Sequence, residues 1–136
     1  MGARTKYRKR ALDILFESEL QSLSMGGSLV ERLVTNHPPI NAYTVTLVEG
    51  VAENQARIDE LLAEHSRGWT LDRMPGVDRN LLRLGTYEIL FADDVPDAVA
   101  VSEAVDLARE LSTDDSPSFV AGVLGAIIEG KAKQDA

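Results

Sequence analysis

No cysteine occurs among the 136 residues, and histidine is limited to His37 and His65. Without a thiol there is no disulfide framework, no thiolate zinc site and no cysteine nucleophile, and the composition suits a reducing compartment, so the expected location is the cytoplasm. Long apolar runs are also lacking. The longest, Phe119 to Ile128, is broken by Gly122 and Gly125 and falls well short of the roughly 18 residues that a membrane span requires. The opening segment is charged rather than apolar, so no signal peptide is visible, and Lys6 stands where a myristoylation motif built on Gly2 needs Ser or Thr. No membrane partner is expected.

What the chain does contain is enough apolar material for a core. At 44% apolar residues it fits one domain spanning residues 1–136, with residues 1–4 and 131–136 expected to fray. The formal net charge of -8 hides a segregation by position. Arg4, Lys6, Arg8, Lys9 and Arg10 give the first ten residues +5 with no acid, which leaves nine basic against 22 acidic residues, or -13, elsewhere. A basic tip on an acidic body attracts phosphate locally while the body repels wrong approaches. The same cluster also fits a terminal charge that only keeps the chain soluble, and charge alone does not decide between the two.

Apolar residues recur at the 3.6-residue helical period along most of the chain, and alternating strand-like runs are nearly absent, so an all-α fold of five or more helices is expected. The first helix is placed at residues 5–23, with Leu12, Leu15, Phe16, Leu20 and Leu23 on one stripe and Asp13, Glu17 and Gln21 opposite. Ser28 and Glu31 have capping-box spacing for a short second helix that ends before His37. Asn41 caps a long third helix reaching about His65, lined by Leu47, Val51, Ile58 and Leu62. Val77 to Ala92 is apolar around most of its circumference, which makes it the central helix. Pro96 breaks the chain, Ser102 is a candidate start for the next helix with 97–101 open between extended and helical, and Ser116 with Pro117 in the first turn opens the last.

Catalysis needs a positioned base, nucleophile or metal, and neither histidine has a partner at motif spacing. The acidic pairs Asp93-Asp94 and Asp114-Asp115 match no cation-binding loop, and charge at helix ends accounts for them better. Gly122 and Gly125 lie inside a helical run, where close helix packing explains them, and no glycine-rich phosphate loop exists. No cofactor or metal is implied. The basic start of the first helix is different. Helical geometry puts Arg4 and Arg8 on one flank and Lys6 and Arg10 on the other, an arrangement expected to project from the core, with Tyr7 and Phe16 offering faces to unpaired bases. The start of the last helix, with Asp115, Ser116, Ser118 and Phe119, offers backbone N–H groups and an aromatic ring, although a cap and a core residue would look the same.

Taken together, these segments resemble the NusB family of transcription antitermination factors. VDRNLLRLGTYEIL at 77–90 is similar to the family's central helix, and DVPDAVAVSEAVDLARELSTDDSPSFVAGVLG at 94–125 to its most recognisable stretch. RKRALDILFESEL at 8–20 resembles the arginine-rich first helix, with Phe16 where an aromatic residue is usual. The resemblance implies six to seven helices in two small sub-bundles around the apolar central helix. It also implies binding to boxA, a short single-stranded RNA element, together with NusE, a small-subunit ribosomal protein. The pair serves the RNA polymerase antitermination complex on ribosomal RNA operons. Matched by position, the RNA surface comprises Arg4, Lys6, Arg8, Lys9, Arg10, Phe16, Asp115, Ser116, Ser118 and Phe119, and the partner surface Asp78, Arg79 and Leu82. Ser118 stands where lysine is frequent in the family and Ala121 where asparagine is, which lowers the charge and hydrogen bonding expected of the second RNA patch.

Two alternatives belong to other classes. An RNA-targeting domain of a ribosomal RNA cytosine methyltransferase has a similar helical part, but here there is neither a cofactor-binding βαβ pattern nor a cysteine to attack cytosine. A helical protein-binding adaptor or homodimer stays open, because an apolar face that docks NusE equally docks another copy.

Overall fold

The computed structural model describes residues 4–35, 39–66 and 68–135, which hold seven α-helices, one 3-10 turn and no strand. His37 and Gly2 lie outside the described residues. The all-α expectation holds. The chain forms two compact units, Met1–Gln55 and Ala56–Ala136.

In the first unit, α1 (Thr5–Leu20) packs against α2 (Gly27–Thr35) and α3 (Ala42–Glu53). Its buried stripe is Ala11, Leu12, Ile14, Leu15 and Ser18, at the i, i+3, i+4, i+7 spacing of a core-facing helix. The helix stops earlier than residue 23. Ser22 adopts the left-handed conformation at φ 56°, the Leu23 N–H donates to Ser18 O at 2.9 Å and the Ser22 N–H to Glu19 O at 3.0 Å. These are the two bonds of a Schellman cap, made here on a serine, so Leu20 and Leu23 fall past the core and are exposed.

Ser28 does not act as an N-cap. It lies inside α2, fully buried, where its N–H donates to Ser18 Oγ at 3.1 Å and its Oγ to Ile14 O at 3.1 Å. Two serines thus join α1 to α2 through the polar atoms that burial would otherwise leave unpaired. Asn41 does cap α3, its Oδ1 accepting the Tyr43 N–H at 2.7 Å. The expected single helix to His65 is instead two. Asn54 leaves helical geometry and its side-chain Nδ2 donates to Gly50 O at 2.8 Å, which satisfies a carbonyl at the end of α3 before α4 (Gln55–His65) begins.

The second unit is built on α5 (Gly76–Phe91), packed by α6 (Asp97–Leu111) and α7 (Ser116–Asp135). Leu81, Leu82, Leu84 and Ile89 are buried together with Ala100, Ala104, Leu107, Val120, Leu124 and Ile127. Each large apolar side chain removed from water contributes about 1.5 to 3 kcal/mol. Gly85 permits the closest approach, since a Cβ there would meet Leu124 Cδ1 at 2.7 Å. The polar members of α5 are satisfied. Arg83 makes a two-pronged contact with Asp59 at 2.9 and 3.0 Å and a third bond to Asn80 Oδ1 at 3.1 Å. Helix α6 starts at Asp97, directly after Pro96, so the segment 97–101 is helical and Ser102 opens nothing. Lys131, expected to begin a frayed end, donates to Ile89 O at 2.8 Å and to the Asp97 carboxylate at 3.1 Å.

Candidate nucleic-acid interface

The α1 start carries its cations without any of the usual devices of a helix N-terminus. Arg4 occupies the N-cap position with no side-chain cap bond, and the first turn holds no acid. Cations at this end oppose the helix dipole, a local cost that an anion placed there would reverse. The cationic tip was expected to project from the core, and for Arg4 and Arg8 that expectation is corrected. The Arg4 guanidinium carbon sits 4.1 Å from the centre of the Tyr43 ring and that of Arg8 5.8 Å, and Arg8 is buried at 4% exposure. The flank predicted for Arg4 and Arg8 is therefore real, but it is a cation–π contact against α3. Burial is possible because the ring face replaces part of the lost hydration. Lys6 is exposed with its ammonium 5.3 Å from the Tyr7 ring, and Lys9, Arg10, Tyr7 and Phe16 are half-buried.

Tyr43 was missed by sequence reasoning, though a signal was present. It stands four residues before Leu47 and eight before Val51, on the α3 face that meets α1, and the Asn41 cap fixes it in the first turn. Thr44 Oγ1 adds to the same junction by donating to Tyr7 O at 2.9 Å.

The α7 start is constructed differently. Ser116 is buried, and its Oγ donates to Asp78 Oδ2 at 2.8 Å while accepting the Thr113 N–H at 3.2 Å. Ser112 Oγ donates to Asp78 Oδ1 at 2.5 Å. One buried carboxylate therefore holds both ends of the α6–α7 turn. Ser116 belongs to this network rather than to a surface, whereas Asp115 and Ser118 are exposed and Phe119 is half-buried. The surface expected at Asp78 and Leu82 is likewise corrected: Asp78 is 2% exposed, Leu82 is wholly buried in the core, and only their neighbour Arg79 reaches partly to solvent. Arg79 Nη1 donates to Leu71 O at 2.7 Å and Met74 O at 3.1 Å, pinning the 3-10 turn Leu71–Arg73 to α5. In that turn Asp72 is held below its ordinary carboxylate value, chiefly by a hydrogen bond from the Thr70 side chain.

Trp69 was also missed. Its ring lies 5.6 Å from that of Phe119, with the planes at 42°, and the residue is 46% exposed. Its only sequence signal was negative: a large ring after Gly68 that belongs to no periodic stripe. Gly122 and Gly125 need correcting in the opposite sense. A Cβ on either would meet nothing within 4 Å, so close packing does not explain them. They line an open groove of about 600 Å³ on α7 with His65 and Phe119. Asp93, Asp94, Asp114 and Asp115 are exposed at helix ends, and among the described residues no group of three or more acidic or histidine side chains is arranged to hold a metal. No helix of the described residues is long and apolar enough to cross a membrane.

Residues 5–129 match the NusB family. The chain belongs to that family. It is 59% identical over 131 residues to a transcription antitermination protein NusB from a Nocardioides species, covering 96% of this chain and 97% of that one. Among solved structures, T. maritima NusB is 30% identical with a TM-score of 0.83, each chain covered to 99%. A chain in the crystal structure of antitermination factors NusB and NusE in complex with double-stranded RNA is 27% identical with a TM-score of 0.79, covering 93% of this chain and 96% of that one. The NusB match extends over both units, so it includes α1 from Thr5 onward and the α7 start alike.

Proposed function

We propose that this protein is a transcription antitermination factor that binds boxA-type single-stranded RNA together with NusE, and so supports transcription of ribosomal RNA operons by RNA polymerase. The observation that carries the reading is the likeness, over nearly the whole chain, to a protein solved with both NusE and RNA. The chemistry of the α1 start supports it, because a helix N-terminus loaded with cations and lacking an acid favours an anionic ligand. Lys6, Lys9 and Arg10 hold phosphates, while Arg4 and Arg8, set against Tyr43, place positive charge behind them. Phe16 contributes an aromatic edge beside this tip. At the α7 start, Asp115, Ser118 and Phe119 meet bases, and Ser116 supports them from beneath. Arg79, half-buried, is the part of the NusE contact that reaches solvent. The protein works by binding rather than catalysis, in the cytoplasm, where transcripts emerge.

Titration of a labelled boxA RNA and a scrambled control, each with and without NusE, tests this reading. Preference for boxA that rises with NusE is expected. Equal binding to both RNAs, or none to either, would refute it. A second reading, a helical adaptor or homodimer without specific RNA binding, draws on the exposed Val30, Leu33 and Val34 of α2. Self-association at working concentration without any RNA preference would favour it.

A further inference from the structure

We infer that Trp69, with Phe119, forms a stacking platform for an unpaired RNA base; the inference rests on the RNA-binding reading above and adds to it a residue outside the expected site. Trp69 is the only tryptophan in the chain, and tryptophan normally buries most of its large apolar surface, yet here the residue is 46% exposed. The ring is set against Phe119 at 5.6 Å, and nearly half of the residue's surface is open to water. Core packing would have covered it.

The backbone that carries the exposed ring is tied down. The Trp69 N–H donates to Ser66 O at 3.3 Å and its carbonyl accepts from Ser66 Oγ at 2.9 Å, while Ser66 itself is buried. Before it, Gly68 turns the chain with φ at +80°. Beyond it, the Arg73 N–H donates to Thr70 O at 3.0 Å, and Arg79 holds the carbonyls of Leu71 and Met74. A ring carried on a fixed backbone and set against Phe119 has less conformational freedom to lose when a ligand stacks on it.

The charge on the Phe119 side of the platform decides which part of a nucleotide that side meets. Residues 112–130, which include the α7 start and Phe119, contain no lysine or arginine, while Asp114 and Asp115 are exposed. Phosphate is disfavoured at the α7 start, while the exposed Arg73, four residues after Trp69, is a cation on the platform's other segment. A base offers the platform a π face and offers Asp115 its amino and imino donors, so the ligand presents its base to the rings and turns its backbone away. Base–aromatic stacking tolerates any base, and every base carries at least one Watson–Crick edge donor for the carboxylate.

Because Trp69 is the sole tryptophan, its intrinsic emission reports on the site directly. Titration of the wild-type protein with unlabelled single-stranded boxA RNA should quench that emission in step with binding measured by anisotropy of labelled RNA. Trp69→Leu keeps an apolar contact for Phe119 but removes the stacking face, and it should weaken RNA binding roughly tenfold, whereas Trp69→Phe should keep most of the affinity. Thermal unfolding of both variants checks that each is folded. If the wild type binds boxA RNA but its emission is unchanged and Trp69→Leu binds equally well, the assignment is wrong while the RNA-binding reading stands. An emission change on adding NusE alone, with none on adding RNA, would give the ring to a protein contact and overturn the assignment. Absence of any RNA binding by the wild type would remove both.

Discussion

The starts of α1 and α7 solve the same local problem in opposite ways. At α7, a helix N-terminus is anchored by a buried carboxylate that accepts from Ser112 and Ser116, so the polar groups of the turn are satisfied inside the protein. At α1, the N-cap residue makes no side-chain cap bond, the first turn contains no acid, and five cations crowd the first turns and the residue before them. The first is what folding alone would select. The second breaks a local rule, and such violations concentrate where a ligand completes the electrostatics. The difference separates a turn closed by its own carboxylate, which displays Phe119, from a helix start whose first turn holds cations and no acid.

The largest effect should come from breaking the satisfied turn. Asp78→Ala leaves the Ser112 and Ser116 hydroxyls without their shared acceptor, and urea unfolding should register a loss of about 2 to 4 kcal/mol. The cationic start should respond in binding rather than stability. Lys6→Ala combined with Arg10→Ala should weaken boxA RNA binding by about 1 to 3 kcal/mol in total, measured by anisotropy, with little change in the unfolding midpoint. Arg8 is the wrong choice for that experiment, because it is buried against Tyr43 and its removal would disturb α1 packing as well.

Two smaller effects sharpen the contrast. Gly122→Ala adds a methyl where nothing lies within 4 Å, so calorimetry should find α7 stabilised by roughly 1 kcal/mol through helix propensity. Lys6→Glu replaces a cation at the α1 N-terminus with an anion, and it should raise stability by about 0.3 to 1 kcal/mol while weakening RNA binding. Opposite signs in the two measurements are the signature of a start kept unfavourable for a ligand.

The sequence made the long periodic elements legible: α5 began one residue from its expected start, and Asn41 and Ser116 stood at the helix starts proposed for them. Boundaries set by side-chain hydrogen bonds were not legible. Nothing in periodicity told that Ser22 would enter the left-handed region, that Asn54 would divide α3 from α4, or that Ser28 would bond Ile14 instead of capping α2. The candidate site was legible as residue types but not as exposures. Arg8, Ser116, Asp78 and Leu82 lay inside, because a ring, a carboxylate network and a core claimed them. Tyr43 and Trp69 came from outside every motif, since only the fold brings Tyr43 to the Arg4–Arg8 flank and Trp69 to Phe119.

The most direct test of the claim that the cationic α1 start binds RNA backbone is the salt dependence of boxA affinity. Wild-type protein and the Lys6→Ala/Arg10→Ala variant would be titrated over a series of salt concentrations and log affinity plotted against log salt. If each side chain neutralises one phosphate, the variant's slope should be shallower by about 1.4, at roughly 0.7 per single-strand phosphate contact. Parallel lines of equal affinity would contradict the account and move the phosphate contacts away from α1.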